Sequence, residues 1–217
     1  MLPLVDIISV LPAFLVAVLV IAASPGPAMA LIFQRAGLHG FRAAVPTVLG
    51  IEAGLWIWAL AAGAGLAALV AASETAFIVL KVVGAVFLVY LGIKSLRSGW
   101  ALRDRGGVEA LPEPPAARSG KGAFAEGLIV QLANPKAAAF MFAFYPQFVP
   151  KDGPVLLTTM VLATIQVAVE LVLYLGLAHT VGRASAWFSK TKIRRRLDYI
   201  SGAVLVLLGL RVATATR

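Results

Sequence analysis

Residues 7–33 read IISVLPAFLVAVLVIAASPGPAMALIF, an almost continuously apolar stretch that contains Ser24, Pro25, Gly26 and Pro27. A transmembrane helix needs about 20 predominantly apolar residues, and this stretch exceeds that length. Proline lacks the backbone donor of a helix and clashes with the carbonyl group four residues earlier. We therefore predict a transmembrane helix that is broken or kinked at the Pro-Gly-Pro sequence.

Five further apolar stretches follow the first one. Their apolar residues lie on every side of the predicted helix, whereas an amphipathic surface helix is apolar on one face only. The whole chain is 60% hydrophobic and 13% charged, with a mean hydropathy of +0.92, against about 45–50% and 25% in a soluble domain. This composition argues against a water-soluble enzyme and predicts an all-α integral membrane protein with six transmembrane helices. The five stretches cover residues 44–71, 75–93, 123–148, 155–180 and 199–213.

The positive charges of the chain predict its orientation in the membrane. Fourteen of the 19 lysines and arginines lie in the connections that follow the first, third and fifth spans, with Arg35 and Arg42 in the first of them. Cytoplasmic loops carry an excess of these residues, so both termini are predicted to lie outside. The run of Arg194, Arg195 and Arg196 suits the head groups of membrane lipid. No basic stretch interleaved with aromatic residues indicates a nucleic acid as partner.

The chain offers little material for a cofactor or a catalytic site. It has no cysteine and only two histidines, which excludes disulfides and thiolate metal sites. A membrane hydrolase needs a nucleophile with a base, and Ser24 has no histidine at its depth in the predicted helix. We therefore expect no metal, no cofactor and no catalytic residue.

The two halves of the chain repeat one pattern. Residues 23–28 (ASPGPA) in the first span correspond to residues 133–138 (ANPKAA) in the fourth, and 84–86 (GAV) in the third correspond to 202–204 (GAV) in the sixth. Because each repeat would contain three spans, an odd number, the second copy must be inverted in the membrane. The predicted divisions are a first three-helix repeat (1–97), a cytoplasmic linker rich in proline, glycine and mixed charge (98–122) and a second three-helix repeat (123–217).

Helix breaks at matching positions of inverted repeats indicate a secondary transporter, with the binding site at the interruptions. Polar backbone freed at that depth is tolerated only where it faces protein or a watery cavity. A plain packing kink is the alternative interpretation. The predicted substrate-binding or hinge residues are Ser24, Pro25, Gly26, Pro27, Asn134, Pro135 and Lys136.

Three charged residues are predicted to lie near the middle of the membrane: Glu52, Lys136 and Glu170. Charges at this depth cost about 2.5–3.5 kcal/mol on insertion scales and usually mark a substrate or ion pathway. We hypothesise that Lys136 and the half-helix N-termini attract a carboxylate, while Glu52 or Glu170 pairs with an amino group or exchanges a proton. A purely structural ion pair between Lys136 and a glutamate is the alternative.

The order and spacing of several short motifs resemble the LysE superfamily of amino-acid exporters, particularly its RhtB-type branch. The resemblance covers nearly the whole chain. It rests on Pro25-Gly26-Pro27; Gly37, Gly40 and Arg42; Gly50-Ile51 and Gly54; Lys81-Val82-Val83-Gly84-Ala85 through Tyr90-Leu91-Gly92; Phe124-Ala125-Glu126-Gly127-Leu128; Asn134-Pro135-Lys136-Ala137-Ala138; and Phe144-Tyr145-Pro146-Gln147-Phe148.

This resemblance implies a bacterial inner-membrane exporter that moves amino acids or close derivatives out of the cytoplasm by proton antiport, with a homodimer as a possible assembly. Two positions depart from the family pattern. Ala28 follows Pro-Gly-Pro where members often carry Asn or Asp, and Glu52 stands where a small apolar residue is expected. Export of another small solute, such as an amine or a lactone, and a non-transporting scaffold are the alternative functions.

Overall fold

The computed structural model describes residues 4–101, 120–149, 153–181 and 190–214. Most of the predicted linker and the two chain ends lie outside these residues. All regular elements among the described residues are helical. They are α1 (Leu4–Ala23), α2 (Pro27–His39), α3 (Phe41–Ala72), α4 (Glu74–Ala101), α5 (Gly120–Leu132), α6 (Pro135–Phe144), a 3₁₀ turn (Tyr145–Gln147), α7 (Val155–His179) and α8 (Thr191–Thr214).

Three of these helices are long and apolar enough to cross a membrane, namely α3, α4 and α7. Two further pairs of consecutive helices are long and apolar enough to cross a membrane when each pair is taken as one span. Each pair is bent at its break, α1 and α2 by 58° and α5 and α6 by 61°. The breaks predicted in the first and fourth spans are therefore confirmed. The predicted sixth span lies in α8, which is not among the crossing helices found in the described residues. Six spans therefore stay a prediction.

Proline begins the second half of each bent pair. Pro27 opens α2 and Pro135 opens α6, positions where the missing N–H is not needed and the fixed backbone angle suits a helix. At the second break the side-chain oxygen of Asn134 accepts a hydrogen bond of 3.1 Å from the backbone N–H of Lys136, which is the usual way to satisfy a free donor at a helix start. The prolines thus separate half-helices instead of kinking continuous ones.

Glycines bring α3 of the first half against α5 of the second. A Cβ atom added at Gly50 would lie 2.0 Å from the carbonyl oxygen of Phe124, and one added at Gly127 would lie 2.2 Å from that of Thr47. Close backbone approach of this kind is typical of membrane helices packed through small residues. The sequence spacing of Gly50 and Gly54 is therefore explained by helix packing.

Gly50→Ala is expected to destabilise the protein by about 1–3 kcal/mol or more, the cost of overpacking a tight contact. The obstacle is backbone of α5, which cannot move aside like a flexible side chain. Thermal unfolding of the purified protein in detergent, followed by tryptophan fluorescence, measures the change. Gly65→Ala is the matched control, because Gly65 lies on the same helix with nothing within 4 Å of an added Cβ. Equal unfolding temperatures for both variants would contradict this packing.

The helices α4 and α8 cross at a second pair of glycines. A Cβ added at Gly92 would lie 2.7 Å from the carbonyl oxygen of Gly202, and one added at Gly202 would lie 2.7 Å from that of Gly92. Contacts between α4 and α8 and between α3 and α7 pair the third span with the sixth and the second with the fifth. An inverted repeat produces such pairings, and the division into two repeats stays a prediction that they support.

An aromatic cluster packs α1 against α6 on the side of the breaks that is predicted to face outward. The ring of Phe144 stacks on Phe140 at 4.1 Å and on Phe14 at 5.5 Å between centroids. Phe14, Phe144 and Tyr145 are fully buried within this cluster. Through Phe140 the cluster contributes an apolar side chain to the region between the two breaks.

Candidate functional site

A cavity of about 40 Å³ lies between the two helix breaks. This space holds a few water molecules, since one water needs about 10–15 Å³ by this measure. Its wall comes from both breaks and from α1, α2, α3, α5, α6 and α7. The polar residues on that wall are Ser24, Gln131, Asn134, Lys136, Gln166, Glu170 and Tyr174.

The first break exposes carbonyl oxygens at the end of α1. Pro25 has no N–H, so the carbonyl of Ile21, four residues earlier, loses its usual helical donor and accepts a bond of 3.2 Å from the backbone N–H of Ser24 instead. The ammonium group of Lys136 donates hydrogen bonds to the carbonyl oxygens of Ile21 at 2.9 Å and Ser24 at 3.2 Å. Tyr174 donates a longer bond of 3.4 Å to the carbonyl of Ala22. Side chains of α6 and α7 therefore donate hydrogen bonds to the carbonyl groups at the end of α1.

The second break repeats this arrangement with a different donor. Gln131 lies four residues before Pro135, as Ile21 lies before Pro25. Its carbonyl oxygen accepts a hydrogen bond of 3.2 Å from the indole N–H of Trp58 on α3. The two equivalent carbonyls thus receive a charged ammonium at the first break and a neutral indole at the second.

Glu170 reaches the cavity as the end of a buried hydrogen-bond chain. The hydroxyl of Tyr145 donates to the side-chain oxygen of Gln166 at 2.9 Å. The amide nitrogen of Gln166 in turn donates to the Glu170 carboxylate at 2.7 Å. Glu170 is 4% exposed and interacts electrostatically with Lys136. The chain orients the carboxylate at the cavity wall.

Glu52 is buried on α3, also 4% exposed, but it does not line the cavity. Neither of its carboxylate oxygens has a hydrogen-bond partner. It lies within electrostatic range of Glu170. A buried carboxylate without hydrogen-bond partners is costly unless it is neutral. Glu52 is therefore a neighbour of the site and not part of its wall.

The structure brings most of the predicted site residues together. Ser24, Gly26, Asn134, Lys136 and Glu170 all line the cavity. Their convergence comes from the two helix breaks and the packing of α7 beside them. Pro25 and Pro27 flank the first break without lining the cavity, and Pro135 begins α6 with its side chain outside the described residues. In the part of the chain that the structure describes, no ion pair joins Lys136 to a glutamate.

Sequence reasoning missed one buried ion pair. The prediction that Arg35 lies in the first inner connection is wrong, because α2 continues to His39 and leaves Arg35 only 1% exposed. Its guanidinium pairs with the carboxylate of Glu126 on α5. Opposite charges near the predicted inner ends of both broken spans were the available signal. The glutamines at 131 and 166 both line the cavity.

Comparison with known proteins places the chain in a family. The family model described as LysE type translocator matches residues 19–216. A homoserine/homoserine lactone efflux protein of Salmonella typhimurium is 30% identical over 94% of this chain and 95% of its own length. A membrane protein of Pseudomonas aeruginosa is 35% identical over 88% and 89%. A threonine efflux protein of Salmonella typhi is 32% identical over 58% and 60%.

No solved structure matches the chain. The family match covers both helix breaks and every residue of the cavity wall. Membership of a translocator family points to transport and not to enzymatic catalysis. The chain is a multi-pass membrane protein of the LysE family, in its RhtB-type branch.

Proposed function

We propose that this protein exports amino acids or close derivatives from the cytoplasm, and that the cavity between the helix breaks binds the substrate. The observation that carries the proposal is the meeting of two broken helices around a cavity with a lysine and a glutamate on its wall. The names of the efflux relatives support it, since they refer to homoserine, homoserine lactone and threonine. A lactone lacks the free carboxylate of an amino acid, so the ionisable group that these three share is the primary amine.

The polar groups of the cavity suit such a substrate. Lys136 and Asn134 supply donors for a carboxylate or a carbonyl oxygen, while Glu170 and the helix-end carbonyls supply acceptors for an ammonium group. Ala28 lines the same cavity. Family members often carry Asn or Asp at this position. The alanine of this chain therefore leaves the cavity without that polar side chain and with more space beside the substrate.

Proton antiport is the second part of the proposal. Glu170 is the carboxylate that exchanges the proton, because it lies on the cavity wall and its hydrogen-bond chain orients it there. Glu52 lies within electrostatic range of Glu170 without lining the cavity, so a negative charge on either carboxyl group opposes a charge on the other. Carboxylates buried at membrane depth commonly serve as proton relays in transporters.

The proposed arrangement in the membrane has six spans in two inverted repeats, with the termini outside a bacterial inner membrane. The helix breaks at equivalent positions and the pairing of α3 with α7 and of α4 with α8 support it. In this orientation α2 leads from the cavity to the cytoplasm, and α5 leads from the cytoplasm back to the cavity.

We further propose that Arg35 and Glu126 close the cytoplasmic side of the cavity. Arg35 lies six residues beyond Met29 of the cavity wall, and Glu126 lies five residues before Gln131. At about 1.5 Å per residue, both charges lie roughly 8–9 Å below the wall on the same side. Their ion pair joins the inner half-helices of the two broken spans, so substrate entry from the cytoplasm requires it to separate.

Transport into vesicles tests the proposed function. Purified protein is reconstituted in liposomes with an acidic interior, and uptake of radiolabelled threonine, homoserine and homoserine lactone is measured against protein-free liposomes. We expect uptake that depends on the protein and is lost when a protonophore removes the pH gradient. Uptake of the lactone alone would favour the amine or lactone alternative. Absence of uptake for all three solutes would overturn the proposal.

A further inference from the structure

The end of α1 holds a cation, and that cation belongs to the chain itself. We propose that the carbonyl oxygens of Ile21 and Ser24 form a binding site for a primary ammonium group, which Lys136 occupies in this structure and which the ammonium group of the substrate enters in exchange. The inference rests on the proposed function, because it assigns a place to one end of the exported molecule.

The geometry at the first break is that of ammonium recognition. An ammonium group has three donors and no acceptor, and two of the donors of Lys136 go to carbonyl oxygens at 2.9 and 3.2 Å. The last carbonyls of a helix lack the usual donor four residues later and carry a partial negative charge. The Ile21 carbonyl accepts the backbone N–H of Ser24 at 3.2 Å in addition to the ammonium of Lys136. At the second break, the carbonyl of Gln131 accepts instead from Trp58, a neutral donor fixed in an aromatic ring. Only the first of these two equivalent ends holds a cation.

A second observation points to a cationic ligand in the same cavity. The side-chain oxygen of Gln131 is buried without a hydrogen-bond partner, and this residue lines the cavity at 4% exposure. The carboxylate of Glu170 lies on the same wall. An unsatisfied acceptor and a carboxylate beside two helix-end carbonyls favour a ligand that donates several hydrogen bonds and carries positive charge.

Exchange of one ammonium for another keeps the charge at the helix end unchanged. The displaced Lys136 then pairs with the carboxylate of an amino acid. When the ligand has no carboxylate, Lys136 turns towards Glu170, with which it already interacts electrostatically. The site therefore recognises a primary amine as the essential group and treats the carboxylate as optional.

Lys136→Met tests the site, because it leaves the two carbonyls without their cation. The probe is n-propylammonium chloride, with tetramethylammonium chloride, which has no N–H donor, at equal concentration. The readout is the unfolding temperature of the full-length protein in detergent. We expect propylammonium, and not tetramethylammonium, to raise the unfolding temperature of the variant. Wild type should need at least about tenfold more propylammonium, because a tethered side chain competes at an effective concentration of millimolar order.

Trp58→Phe is the matched control at the equivalent carbonyl of the second break, and it should need as much propylammonium as wild type does. If Lys136→Met does not fold, Lys136→Gln replaces it, since its amide keeps a neutral donor, and the same preference is expected. Equal effects of the two cations on a folded Lys136 variant would overturn the inference. If the two cations act equally but vesicles with wild-type protein take up amino acids, the ammonium site is wrong and the proposed function is retained. If the variant prefers propylammonium but wild-type vesicles take up none of the three solutes, the ammonium site is supported and the proposed function is overturned.

Discussion

Glu170→Gln is expected to abolish the accumulation of substrate that a pH gradient drives, while the protein stays folded. Glutamine keeps the size of glutamate, and its side-chain oxygen still accepts the hydrogen bond that Gln166 donates at 2.7 Å. The amide cannot take up or release a proton. If one proton is exchanged for each substrate, each unit of pH gradient sustains about a tenfold concentration ratio, equivalent to about 1.36 kcal/mol. In vesicles with the variant, the ratio of internal to external substrate concentration should stay at one.

Two vesicle experiments separate coupling from binding in this variant. Accumulation under a pH gradient reports coupling, and exchange of internal for external substrate without a gradient reports binding and movement. We expect Glu170→Gln to lose the first and keep the second. Glu52→Gln is the matched comparison, with a smaller effect expected because Glu52 does not line the cavity. If both variants accumulate substrate as wild type does, neither carboxylate carries the proton.

Arg35→Glu is expected to lower the stability of the folded protein by about 3–5 kcal/mol, the usual cost of breaking a buried ion pair. Arg35 is 1% exposed and its partner Glu126 is 19% exposed. The substitution places two carboxylates against each other between α2 and α5, in surroundings that screen charge poorly. The fraction of folded protein recovered in detergent and its unfolding temperature measure the loss.

The reciprocal exchange Arg35→Glu with Glu126→Arg should restore much of the lost stability, because opposite charges then face each other again. This recovery distinguishes pairing from a simple intolerance of change at either position. A double variant no more stable than the single ones would contradict a direct contribution of the pair. Arg35→Gln with Glu126→Gln removes both charges, and we expect it to admit cytoplasmic substrate without the barrier of charge separation.

Several features of the fold follow from local sequence. Hydropathy over about 20 residues predicts the crossing helices, and three unbroken ones are confirmed as α3, α4 and α7. Proline chemistry predicts both breaks, because the missing N–H acts within one helical turn. The predicted inner end of the first span is wrong, since α2 continues through Arg35 to His39. Hydropathy reports where a chain is apolar, and a helix can continue beyond that point.

The partners inside the site do not follow from local sequence. Lys136 is predicted to face a substrate carboxylate or a glutamate, yet its ammonium is held by two carbonyls at the end of α1. Its sequence separation from Ile21 is 115 residues. A charged residue in an apolar stretch predicts that its charge has a polar partner. Several groups at the same depth could be that partner, so the sequence does not identify it.

The sequence by itself determined that this protein is a membrane protein of broken and unbroken helices, because apolar length and proline act within a single helix. Only the tertiary structure decided that the two breaks face one cavity, that Lys136 and Trp58 supply the donors lost at Pro25 and Pro135, and that Arg35 meets Glu126. These contacts depend on bends of 58° and 61° and on backbone approach at glycines. Such geometry arises when distant helices pack, and no single segment contains it.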